Sequence, residues 1–161
     1  MTAIQYCLLP ATSKPLLNKF YRAHRSSMRA SGGAVLWAVK HIDIIAGLSL
    51  TRIGEGHWLT GLFVAPEWRS QGIAAGLMRC AMEGLRGPVW LFCHPQLEEF
   101  YARSGFTLAP QLPPPLAEKL ARYSRFKPLL AMVLTPAAAE LQGSSATRGS
   151  AFEELSIMPN P

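Results

Sequence analysis

One junction constrains the fold of this chain more than any other feature: an apolar run, a proline-marked turn and a helix start, between Leu62 and Ala75. The run Leu62–Val64 has the composition of a buried strand, and apolar residues recur at helical spacing from Ile73 onward. A helix N-terminus leaves backbone N–H groups without internal acceptors and carries partial positive charge, so it favours anions. Gly72 has no Cβ, which allows either an unusual backbone conformation or the close approach of a ligand. The junction therefore predicts a strand–loop–helix cradle for phosphate.

The length of the chain, 161 residues of which 49% are hydrophobic, suits one packed domain, which we expect to span 1–135. The segment 136–161 is rich in Ala, Ser and Gly without a clear period, so we expect a tail that is mobile or loosely docked. Three widely spaced cysteines, Cys7, Cys80 and Cys93, argue against a disulfide framework or a zinc site. No apolar run reaches the ~18–20 residues of a membrane span, and the first residues do not resemble a secretory signal. We therefore expect a soluble cytoplasmic protein without a metal.

Periodicity and turn residues divide the domain into strands and helices. Among the predicted strands are Val35–Lys40, Ile42–Thr51 and Val89–Cys93. The predicted order is β-α-β-β-β-α-β-α-β-β, with one more short helical pattern at Leu116–Tyr123 before the last strand. The helix before the sixth strand is expected to begin at Pro95 and to end at Gly105. This order predicts an α/β (α+β) fold with a mixed sheet and helices on both faces.

Two motifs in the right order carry a resemblance to a known family. Arg69-x-x-Gly72-x-Ala74 is similar to the R/Q-x-x-G-x-G/A signature of the GNAT superfamily of acetyl-CoA-dependent acyltransferases. About thirty residues further on, Phe100-Tyr-Ala-Arg-Ser-Gly105-Phe106 resembles the F-Y-x-x-x-G-F segment that follows in that family. The resemblance extends over roughly residues 3–134. It implies a mostly antiparallel mixed sheet of about seven strands, in which parallel strands 4 and 5 splay apart.

The same resemblance implies acetyl-CoA as co-substrate. The pantetheine arm would lie along the strand that ends at Val64, and the pyrophosphate would lie against the amides of 69–75. The Arg69 side chain would either pair with phosphate or serve the loop. His94 stands where the family commonly has an asparagine that contacts the cofactor arm, although a surface N-cap role is an open alternative. The predicted cofactor-binding residues are Leu62, Phe63, Val64, Arg69, Ser70, Gln71, Gly72, Ile73, Ala74, Ala75 and His94.

Tyr101 is the predicted catalytic residue, because a phenol beside the thioester sulfur can donate a proton to the leaving thiolate. The alternative is a core aromatic whose hydroxyl has an internal partner. No general base is evident: Trp58 occupies the position where some family members have a glutamate, which leaves Glu55, His57 or a chain of waters. Cys93 lies near the expected thioester, but we interpret it as a buried structural cysteine because no adjacent base is apparent.

Charge is distributed unevenly and bears on the acceptor. The first 40 residues contain six basic residues and no acidic one, whereas the other 121 contain ten of each, so the net charge of +6 originates in the first quarter. The pattern indicates either a solvated basic helix face or a rim that attracts an anionic ligand. We expect Arg25, Arg122 and Arg125 to bind the acceptor, a primary amine that also carries an acidic group. Polyamine acceptors are disfavoured by the same charges.

Two other functions are compatible with the sequence. A non-catalytic acetyl-CoA-binding sensor or scaffold would retain the cradle and lack turnover. A nucleic-acid-binding protein would use the basic first quarter, but no interleaved aromatic pattern supports it. The resemblance is also compatible with a homodimer.

Overall fold

A computed structural model describes residues 3–135, and the tail expected at 136–161 lies outside the described residues. The sheet consists of β1 (Gln5–Leu9), β2 (Val35–Lys40), β3 (Ile44–Ile53), β4 (Gly56–Val64), β5 (Val89–Cys93), β6 (Thr107–Leu108) and β7 (Leu130–Leu134). The α-helices are α1 (Lys14–Ala23), α2 (Ile73–Met82), α3 (Glu98–Arg103) and α4 (Pro114–Tyr123). Short 3-10 turns at Ala11–Ser13, Pro66–Trp68 and Pro95–Leu97 precede the first three helices. None of the described helices has both the length and the apolar character needed to cross a bilayer.

The seven strands form one sheet in the order β1-β2-β3-β4-β5-β7-β6. Every neighbouring pair is antiparallel except β4 and β5, which are parallel. This topology confirms the predicted fold class and the predicted element order. A parallel pair needs a crossover connection, and the helix that supplies it here is α2.

The two parallel strands separate soon after they meet. They pair only at His57↔Val89 and Trp58↔Trp90, although β4 continues to Val64. In contrast, β5 stays paired with β7 along its whole length. The sheet is thus split by a gap that opens beyond Trp58, and the predicted splay of strands 4 and 5 is confirmed.

A β-bulge bends β4 beside this gap. Gly47 pairs with Phe63 and Ser49 with Thr60, so Gly61 and Leu62 together face Leu48 alone. Gly61 has φ of 69°, a conformation that glycine adopts without strain. Because a bulge interrupts the ladder and turns the strand, it helps to direct β4 away from β5.

Helices cover both faces of the sheet. On the first face, α2 and α3 pack over a core that includes Leu59, Leu62, Leu77 and Leu91. On the second face, α1 packs on the β1–β4 half of the sheet, and α4 packs on Trp58 and Phe92 at the junction of β4 and β5. Burial of these side chains is the main source of stability in such a fold.

Element boundaries differ from the sequence predictions by one turn at most. The helix expected from Pro95 begins as a 3-10 turn and becomes α-helical only at Glu98. The strand expected from Ile42 begins at Ile44, because 41–43 form the hairpin turn and the Ile42 side chain is 77% exposed.

Candidate active site

The gap between β4 and β5 lies where two helix starts converge. Ligands of open α/β sheets bind outside the carboxyl ends of neighbouring parallel strands, where the chain direction switches. Here β4 is followed by the loop into α2, and β5 is followed by the turn at Pro95–Leu97. Both connections therefore begin at the open end of the gap, and this crevice is the candidate site.

The start of α2 has the geometry of an anion cradle. Gly72 is its N-cap residue, and as a glycine it has no side chain that could cap the helix. The first helical hydrogen bond runs from the Gly76 N–H to the Gly72 carbonyl, at 3.0 Å. The N–H groups of Ile73, Ala74 and Ala75 consequently have no acceptor one helical turn earlier. Since the side chains of Ile73 and Ala74 are buried in the core, these residues can present only their backbone to a ligand.

The space beside Gly72 is open. A Cβ built on Gly72 meets no atom of the described residues within 4 Å, so a side chain there would project into open space beside the start of the helix. Gly72 and Ser70 both have left-handed backbone conformations, with φ of 76° and 65°. Turns of this kind direct successive N–H groups toward a concave surface that binds anions. The start of α2 therefore has the features of an anion-binding site.

Arg69 is engaged within the loop. Its Nε donates to the Val64 carbonyl at 2.9 Å, and its guanidinium lies 5.1 Å from the centre of the Phe63 ring. Its own N–H donates to the Pro66 carbonyl at 3.3 Å, so the predicted amide cradle begins after Arg69. The geometry favours the alternative in which this side chain serves the loop.

The other residues predicted to bind the cofactor fall into two groups, those of the loop with exposed side chains and those of β4 with largely buried ones. Ser70 and Gln71 are exposed, and the Gln71 side chain donates to the Glu67 carbonyl at 3.4 Å. Leu62 and Val64 are fully buried on the first face, so a cofactor arm could contact only their backbone. Phe63 points to the second face, where its ring packs on aromatic rings of α1 and of the residue that follows it.

Tyr101 lies in the core with an unsatisfied hydroxyl. Its ring packs edge-on against Phe100 and Phe106, and the residue has no exposed surface. Its hydroxyl has no hydrogen-bond partner within residues 3–135. Burial, together with the neighbouring Cys93 thiol, raises the pKa of Tyr101 well above its usual value, so the phenol keeps its proton at neutral pH. Such an orphaned buried donor calls for an explanation, and a proton-donating role is one.

Cys93 behaves as a core residue. Its thiol is buried and contacts the Met132 sulfur at 3.7 Å. Burial, reinforced by Glu98, raises the pKa of Cys93 to about 12, which makes the nucleophilic thiolate scarce at neutral pH. This environment agrees with the structural interpretation of the residue.

His94 caps the turn that follows β5. Its Nδ1 accepts a hydrogen bond from the Gln96 N–H at 3.0 Å, which is the N-cap alternative. In the neutral ring this bond puts the proton on Nε2. His94 can therefore cap the turn and still offer one N–H donor at the edge of the crevice.

The candidates for a general base lie at the closed end of the gap. Glu55 is exposed in the hairpin turn between β3 and β4. His57 belongs to the first residue pair that joins β4 to β5. Burial, and to a smaller extent the positive charge of Arg52, lowers the pKa of His57. Trp58 is 2% exposed and cannot act as a base. Within the described residues, no carboxylate or imidazole of this group faces the open part of the crevice, which favours a water chain.

The predicted acceptor residues lie on the second face at two separate places. Arg25 is exposed just after α1 and has φ of 57°. Arg122 is exposed on α4 with its guanidinium 5.8 Å from the centre of the Tyr123 ring, and Arg125 is exposed just past that helix. The structure does not bring Arg25 into contact with the other two.

Sequence reasoning missed the residues that support the bulge. The buried Tyr21 hydroxyl of α1 donates to the Gly61 carbonyl at 2.6 Å. Nearby, the Ser31 hydroxyl lies 3.3 Å from that of Thr60, and the Ser31 N–H donates to the Ser49 hydroxyl at 3.3 Å. A glycine inside a strand pattern is the signal that could have revealed the bulge.

A model of the acetyltransferase (GNAT) domain matches residues 31–108, which include β2 to β6 and the whole crevice. This part of the chain is similar to the GNAT acetyltransferase domain. Curated protein sequences yield no match. The crevice between β4 and β5, with the start of α2, lies within the residues that the family model matches.

Solved structures share the GNAT fold at low sequence identity. The ribosomal-protein-S18-alanine N-acetyltransferase from Escherichia coli is 13% identical, with a TM-score of 0.61 over 82% of this chain and 93% of that one. Diaminobutyrate acetyltransferase EctA from Paenibacillus lautus, solved with L-2,4-diaminobutyric acid and coenzyme A, is 17% identical, with a TM-score of 0.59. That match covers 84% of this chain and 96% of the EctA chain. N-acetylglutamate synthase from Neisseria gonorrhoeae, solved with coenzyme A and N-acetyl-glutamate, is 12% identical, with a TM-score of 0.58; the match covers 83% of this chain and 35% of that longer one.

Proposed function

We propose that this protein transfers an acetyl group from acetyl-CoA to the primary amine of a small molecule or peptide that also carries an acidic group. The observation that carries the proposal is the cradle at the start of α2, where the N-cap residue Gly72 has no side chain, a left-handed conformation and open space at its Cβ position. A diphosphate is the polyanion that such a cradle accepts. The neighbours solved with coenzyme A support this choice of cofactor.

Direct transfer in a ternary complex is the mechanism that this crevice supports. Acetyl-CoA supplies an activated thioester, and the acceptor nitrogen attacks its carbonyl carbon as the carbon–sulfur bond breaks. Tyr101 donates its hydroxyl proton to the departing sulfur and recovers a proton from solvent, while the acceptor nitrogen loses one. Its raised pKa keeps the hydroxyl protonated for this role. The raised pKa of Cys93 keeps its thiol protonated, which argues against an acetyl-cysteine intermediate.

The acidic group of the acceptor is proposed on electrostatic grounds. Arg122 and Arg125 belong to α4 and the residues just after it, and Arg25 lies beyond α1 on the same face of the sheet. Cations at the rim of a crevice attract anionic substrates and repel cationic ones. Reversal of the charge at Arg122 and Arg125 should raise the acceptor KM and leave the affinity for acetyl-CoA unchanged.

A second function, a non-catalytic acetyl-CoA-binding module, is favoured by one observation. Glu55 and His57, the base candidates nearest to the crevice, lie toward its closed end. Such a module would bind the cofactor as tightly as an enzyme does and would release no free coenzyme A thiol in the presence of amines.

The test combines cofactor binding with turnover. Acetyl-CoA should raise the melting temperature of the protein, and a panel of amino acids, dipeptides and simple amines should reveal acceptors through release of free thiol. Initial velocities with both substrates varied should give intersecting lines, as a ternary complex requires. Binding without turnover on any amine would favour the non-catalytic module, and absence of binding would refute both functions.

A further inference from the structure

Helix α4 covers a set of three aromatic rings, Trp58, Phe92 and Tyr123, which we call the aromatic cluster. The centres of the Trp58 and Phe92 rings are 5.5 Å apart, and those of Phe92 and Tyr123 are 6.4 Å apart. All three residues are at least nine-tenths buried. The cluster joins β4, β5 and α4 into one packed unit.

Two polar atoms of the cluster lack hydrogen-bond partners in the described chain. The Trp58 Nε1 and the Tyr123 hydroxyl are both buried and unsatisfied. Burying a polar group without a partner costs about 1–3 kcal/mol, so these two groups call for a partner. An indole N–H can only donate, and a phenol can donate as well. Their common complement is a group with two acceptor oxygens.

Positive charge lies at the edge of the same cluster. The Lys119 Nζ is 5.5 Å from the centre of the Trp58 ring, and the Arg122 guanidinium is 5.8 Å from that of Tyr123. Glu118, the acidic residue of α4, is exposed. Two cations beside two unsatisfied donors favour an anion over a neutral ligand.

The position of the cluster relates it to the crevice. Trp58 and Trp90 form the last residue pair between β4 and β5, so the gap begins directly after Trp58. The cluster lies on the second face of the sheet, whereas Tyr101 belongs to the core of the first face. Because the gap interrupts the sheet between them, a molecule on the second face can direct its amine into the gap while its other end lies against the cluster.

A groove beside α4 borders the aromatic cluster. A groove of about 590 Å³ runs between α4 and the residues around β6 and β7. Its lining includes Leu112, Leu120, Leu129 and Ala131, which also pack against the aromatic cluster. The groove does not include Trp58 or Tyr123, so a ligand reaches the two donors only if α4 shifts outward. Only Leu116 and Tyr123 of this helix are buried, so few contacts oppose such a shift.

We infer that the aromatic cluster binds the carboxylate of the acceptor, with hydrogen bonds from Trp58 Nε1 and the Tyr123 hydroxyl and charge neutralisation by Lys119. A carboxylate matches the cluster because it has two oxygens and a single negative charge. The inference rests on the proposed acetyl transfer and assigns substrate specificity to three residues. Trp58 thereby takes a binding role at the strand position where some relatives are expected to have a base.

The first test compares two amines that differ by one carboxylate, L-2,4-diaminobutyrate and 1,3-diaminopropane. The wild-type protein should prefer the amino acid in kcat/KM by tenfold or more, because hydrogen bonds to a charged group are strong. Trp58→Phe and Tyr123→Phe keep an aromatic ring at each position and remove one donor each, so each should reduce the preference by about tenfold. Trp90→Phe is the matched control, since Trp90 packs against the same cluster and its indole is not one of the buried unsatisfied groups of the described chain. It should keep the preference.

The second test does not depend on turnover. The chain has four tryptophans, and Trp58→Phe assigns the Trp58 indole N–H signal in a ¹⁵N-labelled protein saturated with coenzyme A. L-2,4-diaminobutyrate should shift this signal, and 1,3-diaminopropane should not.

Two results would overturn the inference: an unmoved Trp58 signal with the amino acid, or an acid preference that survives both substitutions. Failure of coenzyme A to bind would instead refute the proposed function. Binding of coenzyme A together with an unmoved indole signal would refute the inference alone.

Discussion

Tyr101 combines complete burial with a hydroxyl that has no partner in the described chain. For stability alone, phenylalanine would suit this position better, because the unsatisfied hydroxyl costs free energy and its removal leaves the ring contacts in place. Retention of a costly polar atom near the end of β5 is what a functional residue is expected to show. A purely structural role for the hydroxyl therefore predicts that Tyr101→Phe lowers the free energy of unfolding. A catalytic role without an internal partner predicts that the same substitution raises it.

Tyr101→Phe should raise the free energy of unfolding by about 1 kcal/mol or more, because it removes a buried unsatisfied hydroxyl. The same substitution should lower kcat by about 10²-fold or more and leave acetyl-CoA affinity unchanged. Urea denaturation, steady-state kinetics and calorimetric titration measure the three quantities. Loss of stability with unchanged kcat would identify Tyr101 as a core residue with an internal partner.

At the level of elements, α1 and the bulge of β4 depend on each other. The Tyr21 hydroxyl satisfies the Gly61 carbonyl, and a Cβ built on Gly61 would lie 2.9 Å from that hydroxyl. The contact holds a bent strand against a helix at the edge of the gap. A bulge is thus stabilised by a side chain 40 residues earlier in the chain.

Tyr21→Phe should destabilise the protein by about 1–3 kcal/mol, because the buried Gly61 carbonyl would lose its partner. It should also reduce kcat, since the gap is formed where β4 bends. Tyr123→Phe makes the same chemical change at a hydroxyl without a partner and should not destabilise the fold. Equal stability of both variants in urea denaturation would mean that the Tyr21 bond does not support the bulge.

The helices and strands could be predicted from the sequence more accurately than the contacts between distant side chains. β2 and β5 have the predicted bounds, and turn residues separate the strands in the predicted order. The start of α2 at Gly72 followed from a local pattern, because strand, turn and helix are adjacent in the chain. Local patterns of this kind are visible in a single sequence.

Long-range contacts were the part that the sequence could not supply. Nothing near Tyr21 indicates Gly61, nothing near Phe92 indicates Tyr123, and nothing near Trp58 indicates Lys119, because these pairs meet only through tertiary packing. The exposed arginines were predicted instead, since charge is apparent in a sequence and unsatisfied buried donors are not. The role of Arg69 depends likewise on a bond to the Val64 carbonyl that only the folded loop reveals.

For the whole molecule, the two halves of the sheet meet at a short parallel contact and are held by helices on both faces. Two tyrosines are completely buried in this framework, Tyr21 on the second face and Tyr101 on the first. Burial raises the pKa of both above the usual value of 10.0, the neighbouring Cys93 adding to the rise at Tyr101. Their ionisation is therefore linked to unfolding.

Stability should fall as the pH rises above 10. Unfolded tyrosines release their protons there, whereas the buried ones keep theirs, so the unfolded state binds fewer protons and is favoured. Each buried tyrosine should contribute about 1.4 kcal/mol per pH unit until its folded pKa is reached. Denaturation between pH 9 and 11 should therefore show a smaller slope for Tyr101→Phe than for the wild type. The partly exposed Tyr6 provides the control, and a slope that Tyr101→Phe leaves unchanged would contradict the burial of its hydroxyl.

The most direct measurement of the central claim is calorimetric titration of acetyl-CoA into the wild type, Gly72→Leu and Gly84→Leu. Gly72 and Gly84 lie at opposite ends of α2, have φ of 76° and 80°, and have open space at their Cβ positions, so the backbone strain of the two substitutions is matched. A leucine at 72 should fill the cradle and weaken binding by about 100-fold or more, roughly 2.7 kcal/mol, while Gly84→Leu should bind as the wild type does. Equal affinities for all three proteins would mean that the N-terminus of α2 does not hold the coenzyme.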